Sequence, residues 1–221
     1  TDRSIDYQLD LVVQMLQALA YLHRHNILHR DLKPGNVLVV GDEVKVLDFG
    51  IAMLRKQAAA EDEQETAGTP MYMAPEVLRG LQPTPAADLY AVGVMAYELF
   101  VGQHPFHYSS MNNLYSDILF STPEIPVDKL GAGLALVLQR LLLKSPEDRY
   151  ASAGDVIQAL NEATGHHFAV ETAATRSSFL EAAPFAGRER EMNQLLDELQ
   201  AAFAREGRSW LIAGESGVGK S

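Results

Sequence analysis

The sequence predicts an α+β chain: a mainly helical unit carrying one short β-hairpin, followed by the beginning of an α/β unit. Three observations predict it. Apolar residues recur at helical spacing through most of positions 1–162. Two valine-rich runs, 37–40 and 44–47, flank Gly41-Asp42-Glu43. Near the end, the apolar run 209–213 leads into a glycine-rich segment. A chain of 221 residues is about one and a half average domains, which fits one unit and part of a second.

The elements follow in order. Leu9, Val12, Val13, Leu16 and Leu19 place a buried stripe on a helix over 7–25. The valine runs form the hairpin. Over 51–67 the periodicity is lost, and Glu61-Asp62-Glu63-Gln64-Glu65 carries four charges in five positions, so a solvated loop is expected. Thr84-Pro85 reads as an N-cap and first helical residue, opening an apolar helix that runs to about Phe100 before Gly102. Helices are expected at about 111–119, 132–143 and 152–162, the last opened by Ser152 with Asp155 at capping-box spacing. The Ala-, Thr- and Ser-rich stretch 163–184 reads as a linker. An amphipathic helix over 188–204 and a buried strand over 209–213 then belong to the second unit, 185–221.

Composition narrows the function. Apolar residues make up 47% and charged residues 21%, a globular balance. Eighteen basic against 29 acidic side chains give a net charge of −11, which argues against nucleic-acid contact from this region. There are no cysteines, which excludes disulfides, cysteine-ligated metals and thiol catalysis. No apolar run reaches the roughly 18 residues of a membrane span, and a cytoplasmic setting is expected. The chain starts at Thr1 and stops inside a motif, so a piece of a longer protein is expected.

The densest chemical signal is His29-Arg30-Asp31-Leu32-Lys33-Pro34-Gly35-Asn36, between the first helix and the hairpin. Twelve residues after Asn36, across the hairpin, comes Asp48-Phe49-Gly50; Gly68-Thr69 and Ala74-Pro75-Glu76 follow. Five fixed positions of the first motif coincide by chance in roughly one in three million windows. The residue types suit phosphoryl transfer, which needs positioning and charge neutralisation more than covalent help. Asp31 can accept a hydroxyl proton, Lys33 can hold a phosphate as a mobile charge, and Asn36 and Asp48 offer oxygens to Mg²⁺. The hairpin explains the spacing by bringing position 48 back beside position 36.

On these motifs the first unit resembles the C-terminal lobe of protein kinases, in the serine/threonine class. The resemblance implies ATP and Mg²⁺ as cofactors and proteins bearing Ser or Thr as substrates. It implies roles for Asp31 and Lys33 in catalysis, for Lys33, Asn36 and Asp48 in nucleotide binding, and for Asn36 and Asp48 in metal binding. Arg30 then pairs with a phosphate placed in the 51–67 loop, best at Thr66, while Thr69 reaches toward Asp31 and Lys33. Asp88 braces the catalytic loop backbone, and Arg149 pairs with Glu76. The other histidines, His23 and His104 among them, are expected on the surface or in packing. The family's glycine-rich loop and phosphate-holding strand lysine do not occur here, so this chain alone should turn over negligibly. A pseudokinase scaffold is the alternative.

Gly214-Glu215-Ser216-Gly217-Val218-Gly219-Lys220-Ser221 fits the phosphate-binding P-loop pattern. In that pattern the loop backbone cradles phosphates, Lys220 reaches the β- and γ-oxygens, and Ser221 ligates Mg²⁺. Together with Phe185-Ala186-Gly187-Arg188-Glu189, it resembles the opening of an AAA-type or STAND-type ATPase. A kinase followed by such a module resembles bacterial multidomain signalling proteins.

Overall fold

The computed structural model describes residues 4–47, 70–106 and 109–171, all within the unit Thr1–Thr175. Helix α1 spans Ile5–Arg24. It begins two residues before its expected start because the Ser4 hydroxyl accepts the Tyr7 N–H and supplies the N-cap. Its stripe is buried as expected: Leu9, Val12, Val13, Leu16 and Leu19 are each at most 2% exposed.

Strands β1 (Val37–Val40) and β2 (Glu43–Val46) pair antiparallel, Val37 with Val46 through Val40 with Glu43. The loop is therefore the two residues Gly41-Asp42, and β2 starts one residue earlier than the valines alone suggested. Gly41 takes φ +64°, the region that favours glycine in such tight turns. Leu47 continues the ladder beyond β2 by donating its N–H to the Asn36 carbonyl at 2.9 Å.

Helix α2 is the single turn Pro75–Leu78, and α3 spans Pro85–Val101. Thr84 occupies the N-cap position of α3 as expected, although its hydroxyl makes no capping bond. The helix is entered instead by Pro85, whose fixed φ and missing N–H suit a first turn. Every residue from Ala87 to Tyr97 is buried, so α3 is the central helix, apolar all round. It ends where Gly102 adopts the left-handed conformation, φ +86°.

Helices α4 (Met111–Phe120), α5 (Val127–Leu130), α6 (Ala132–Leu141) and α7 (Ala153–Thr164) complete the unit. The core lies where α1 packs on α3 and α7, and α6 packs on α3 and α7. At the start of α7, Ser152 Oγ accepts the Asp155 N–H and donates to Asp155 Oδ2 at 2.8 Å. The capping box is thus closed through the serine hydroxyl. Of the stretch expected as a linker, residues through Glu171 are described. Phe168 exchanges two hydrogen bonds with the Asn161 side chain, and Gln17 donates to the Ala169 carbonyl, so this segment lies along α7 and α1. Among the described residues, no helix is long and apolar enough to cross a membrane.

Candidate active site

The site is built on one backbone residue held in an unfavourable conformation. Arg30 has φ +67°, a region costing roughly 1–3 kcal/mol outside glycine and tolerated only where the surroundings enforce it. Asp88 enforces it. From the first turn of α3 its carboxylate accepts the N–H of His29 and the N–H of Arg30, both at 2.9 Å. The same carboxylate contacts His23 Nε2 at 2.8 Å and is almost fully buried, at 3%. His23, expected in a surface or packing role, therefore ties the end of α1 to this brace. The Arg30 residue itself is exposed.

His29 is completely buried. Its Nδ1 accepts the Asp31 N–H at 3.4 Å, which assigns the proton to Nε2, and Nε2 donates to the Leu47 carbonyl at 2.9 Å. The imidazole thus joins the loop before β1 to the chain leaving β2. Leu32, 3% exposed, anchors the same loop in the core.

Between these anchors Asp31, Lys33 and Asn36 converge. Lys33 Nζ lies 2.8 Å from Asp31 Oδ2. Asn36 Nδ2 donates to the same oxygen at 3.0 Å and to the Asp31 carbonyl at 2.7 Å. The single-turn 3₁₀ helix Pro34–Asn36 makes this possible, folding the Asn36 N–H onto the Lys33 carbonyl at 2.9 Å. With its amide nitrogen committed to Asp31, Asn36 keeps the amide oxygen as its acceptor for a ligand. Asp31 Oδ1 is buried and has no hydrogen-bond partner among the described residues. A buried carboxylate oxygen left open in this way costs free energy unless a donor arrives. It is an acceptor waiting for a proton donor. An amide oxygen beside a carboxylate is also a donor set that suits a hard cation such as Mg²⁺.

Of the other site residues read from the sequence, Glu76 and Arg149 meet in a buried bidentate pair, 2.8 Å on each arm, both 2% exposed. Asp48, Thr66, Thr69 and the segment Gly214, Gly217, Gly219, Lys220, Ser221 lie outside the described residues. Sequence reasoning missed the Tyr72–Glu98 bond of 2.9 Å, which fastens the residues just after the 48–69 stretch to α3. Burial, reinforced by Glu98, raises the Tyr72 pKa far above the ordinary phenol value and keeps it a donor. It missed His104 as well, whose Nε2 lies 3.1 Å from the Met71 carbonyl on the other side of the same segment. No spacing rule pairs residues so far apart in the chain, and a lone histidine carries no signal of its partner.

Residues 5–168 match the protein kinase domain family. A serine/threonine-protein kinase of Myxococcus xanthus is 39% identical over 193 residues, covering 80% of this chain and 27% of that protein. The serine/threonine-protein kinase PknA of Mycobacterium tuberculosis is 34% identical over 159 residues, 71% of this chain and 37% of that protein. The chain thus spans 27% and 37% of the lengths of these two relatives.

Proposed function

The chain belongs to the protein kinase domain family, and from that premise we propose that its parent protein transfers the γ-phosphate of ATP to Ser or Thr hydroxyls of proteins. The observation that carries this is the state of Asp31. One carboxylate oxygen is held by Lys33 and Asn36, and the other is buried with no hydrogen-bond partner among the described residues. That unpartnered oxygen takes the proton of the substrate hydroxyl as the hydroxyl oxygen forms its bond to the γ-phosphorus and the bond to the β-phosphate oxygen breaks. Lys33 is near enough to Asp31 to hold the transferring phosphate beside that oxygen. Asn36, with Asp48 from across the hairpin, would hold Mg²⁺; bound there, the ion would neutralise charge on the ATP phosphates. Asp88 and His29 keep the loop in the conformation that presents Asp31.

Control and context complete the proposal. Thr66 is the activating phosphorylation site, paired with Arg30, and Thr69 positions Asp31 and Lys33. The kinase unit occupies 1–162, a linker 163–184, and a P-loop ATPase begins at 185. In that unit the backbone at Gly214, Gly217 and Gly219, with Lys220 and Ser221, binds a second Mg²⁺-nucleotide. The protein acts in the cytoplasm.

The test is phosphate transfer by the full-length protein. Asp31→Asn should lower kcat by about 10²- to 10⁴-fold and leave the KM for ATP within a few-fold. Lys220→Ala should leave the Asp31-dependent transfer in place. Transfer by Asp31→Asn at the unmodified rate would overturn the role of Asp31, and no transfer by the unmodified full-length protein would end the enzymatic reading and leave the scaffold alternative.

A further inference from the structure

The hairpin that spaces Asn36 from position 48 is itself held from outside, by a residue no motif identifies. In the Val39–Val44 pair the main-chain groups of Val44 face away from β1, because pairs alternate between bonded and non-bonded along an antiparallel ladder. The outer edge of β2 therefore presents the Asp42 carbonyl and the Val44 N–H. Gln14, halfway along α1, meets both: Nε2 donates to the Asp42 carbonyl and Oε1 accepts the Val44 N–H, each at 2.8 Å. A planar amide presenting a donor and an acceptor to main-chain groups two residues apart stands in for a third strand. Its orientation is fixed, because Nε2 also donates to Asp10 Oδ2 at 2.7 Å. Turning the amide over would face oxygen to oxygen at two places and nitrogen to nitrogen at a third.

We propose that Gln14 is a positioning residue for Mg²⁺ binding, acting through the hairpin. The hairpin is pinned at its turn by Gln14 and at its open end by the Leu47–Asn36 and His29–Leu47 bonds. At about 3.3 Å per residue, a small tilt at the turn becomes a displacement of order 1 Å at Asn36. Helix α1 is the common reference. It holds the turn through Gln14 and the catalytic-loop brace through His23 and Asp88, so the position of Asn36 relative to Asp31 is set twice from one rigid body. This inference rests on the reading of Asn36 as a holder of Mg²⁺.

The experiment uses the full-length protein and a fluorescent ATP analogue, with nucleotide binding followed as Mg²⁺ is titrated. Gln14→Leu keeps the side-chain size and removes the hydrogen bonds. It should raise the Mg²⁺ concentration for half-maximal binding about 3- to 30-fold, the worth of one or two net hydrogen bonds. Binding of the analogue in EDTA should not change, and the Val44 amide should exchange with solvent faster. Gln14→Glu keeps the acceptor for Val44 but sets a carboxylate against the Asp42 carbonyl and Asp10. It should move the midpoint the same way, and it serves should the leucine variant not fold. A midpoint raised by Asn36→Ala and unmoved by either Gln14 variant overturns the positioning role alone. A midpoint unmoved by Asn36→Ala overturns the metal reading beneath it.

Discussion

Arg149 shows how much one side chain can settle. All five of its N–H groups are used: Nε on the Leu143 carbonyl, one terminal nitrogen on Glu76 and the Ala86 carbonyl, the other on Glu76 and the Lys144 carbonyl. Its guanidinium also lies 4.8 Å from the centre of the Tyr90 ring. Arg149→Ala should cost about 3–5 kcal/mol, because it leaves the Glu76 carboxylate buried without its partner. Arg149→Lys should recover little, since one ammonium cannot reach five acceptors spread around a plane. Urea unfolding reads both, and a loss below about 1 kcal/mol for the alanine variant would contradict the account. The Glu76 pairing was legible in the sequence through a motif. The three carbonyl acceptors were not, because backbone groups carry no residue identity to read.

At the scale of elements, the close approach of α6 and α7 gives a test that intrinsic propensity gets backwards. An alanine Cβ at Gly133 would sit 2.9 Å from the Ala163 carbonyl oxygen and 3.0 Å from its Cα. Helix propensity alone favours Gly→Ala by up to about 1 kcal/mol. Here the obstacle is backbone, so the helices must part, and Gly133→Ala should destabilise by about 1–3 kcal/mol. A melting temperature equal to or above the parent's would refute it. The same scale shows what the sequence could convey. Helix α1 was legible because its apolar stripe repeats over several turns, α3 because Thr84-Pro85 and Gly102 bracket a long apolar run, and α7 through its Ser152 and Asp155 capping spacing. The single-turn α2 and α5 were not, since four residues cannot display a 3.6-residue period. The β2 boundary slipped by one because Val44 and Leu47 signal apolarity, whereas the two-residue turn decides the pairing. Around the site, Asp31, Lys33 and Asn36 were legible as a motif, while the bracing by His23 and His29 depends on where α1 ends relative to α3.

For the molecule as a whole, stability should carry the titration of Lys144. Its Nζ donates to the carbonyls of Asp117 and Ile118 in the last turn of α4 and sits 4.3 Å over the Phe106 ring, joining three parts of the fold. Burial, aided by the charges of Arg149 and Arg79 and opposed by Asp117, lowers its pKa from 10.5 to about 8. Between those values the unfolded chain binds more protons than the folded one, so this contribution to stability grows as pH rises and is lost as pH falls through 8. The stability of the parent relative to Lys144→Met should therefore increase from pH 7 to pH 9.5 in urea unfolding. A pH-independent difference would refute it. The hairpin carries a further consequence, for insertions and deletions. Because its ladder closes through two turn residues and runs on to Asn36 and Leu47, the interval works as a ruler. Exchanging a side chain within it leaves the count intact, but adding or removing one residue shifts every later side chain to the opposite face. Mutational scanning should find this stretch more tolerant of altered letters than of altered length.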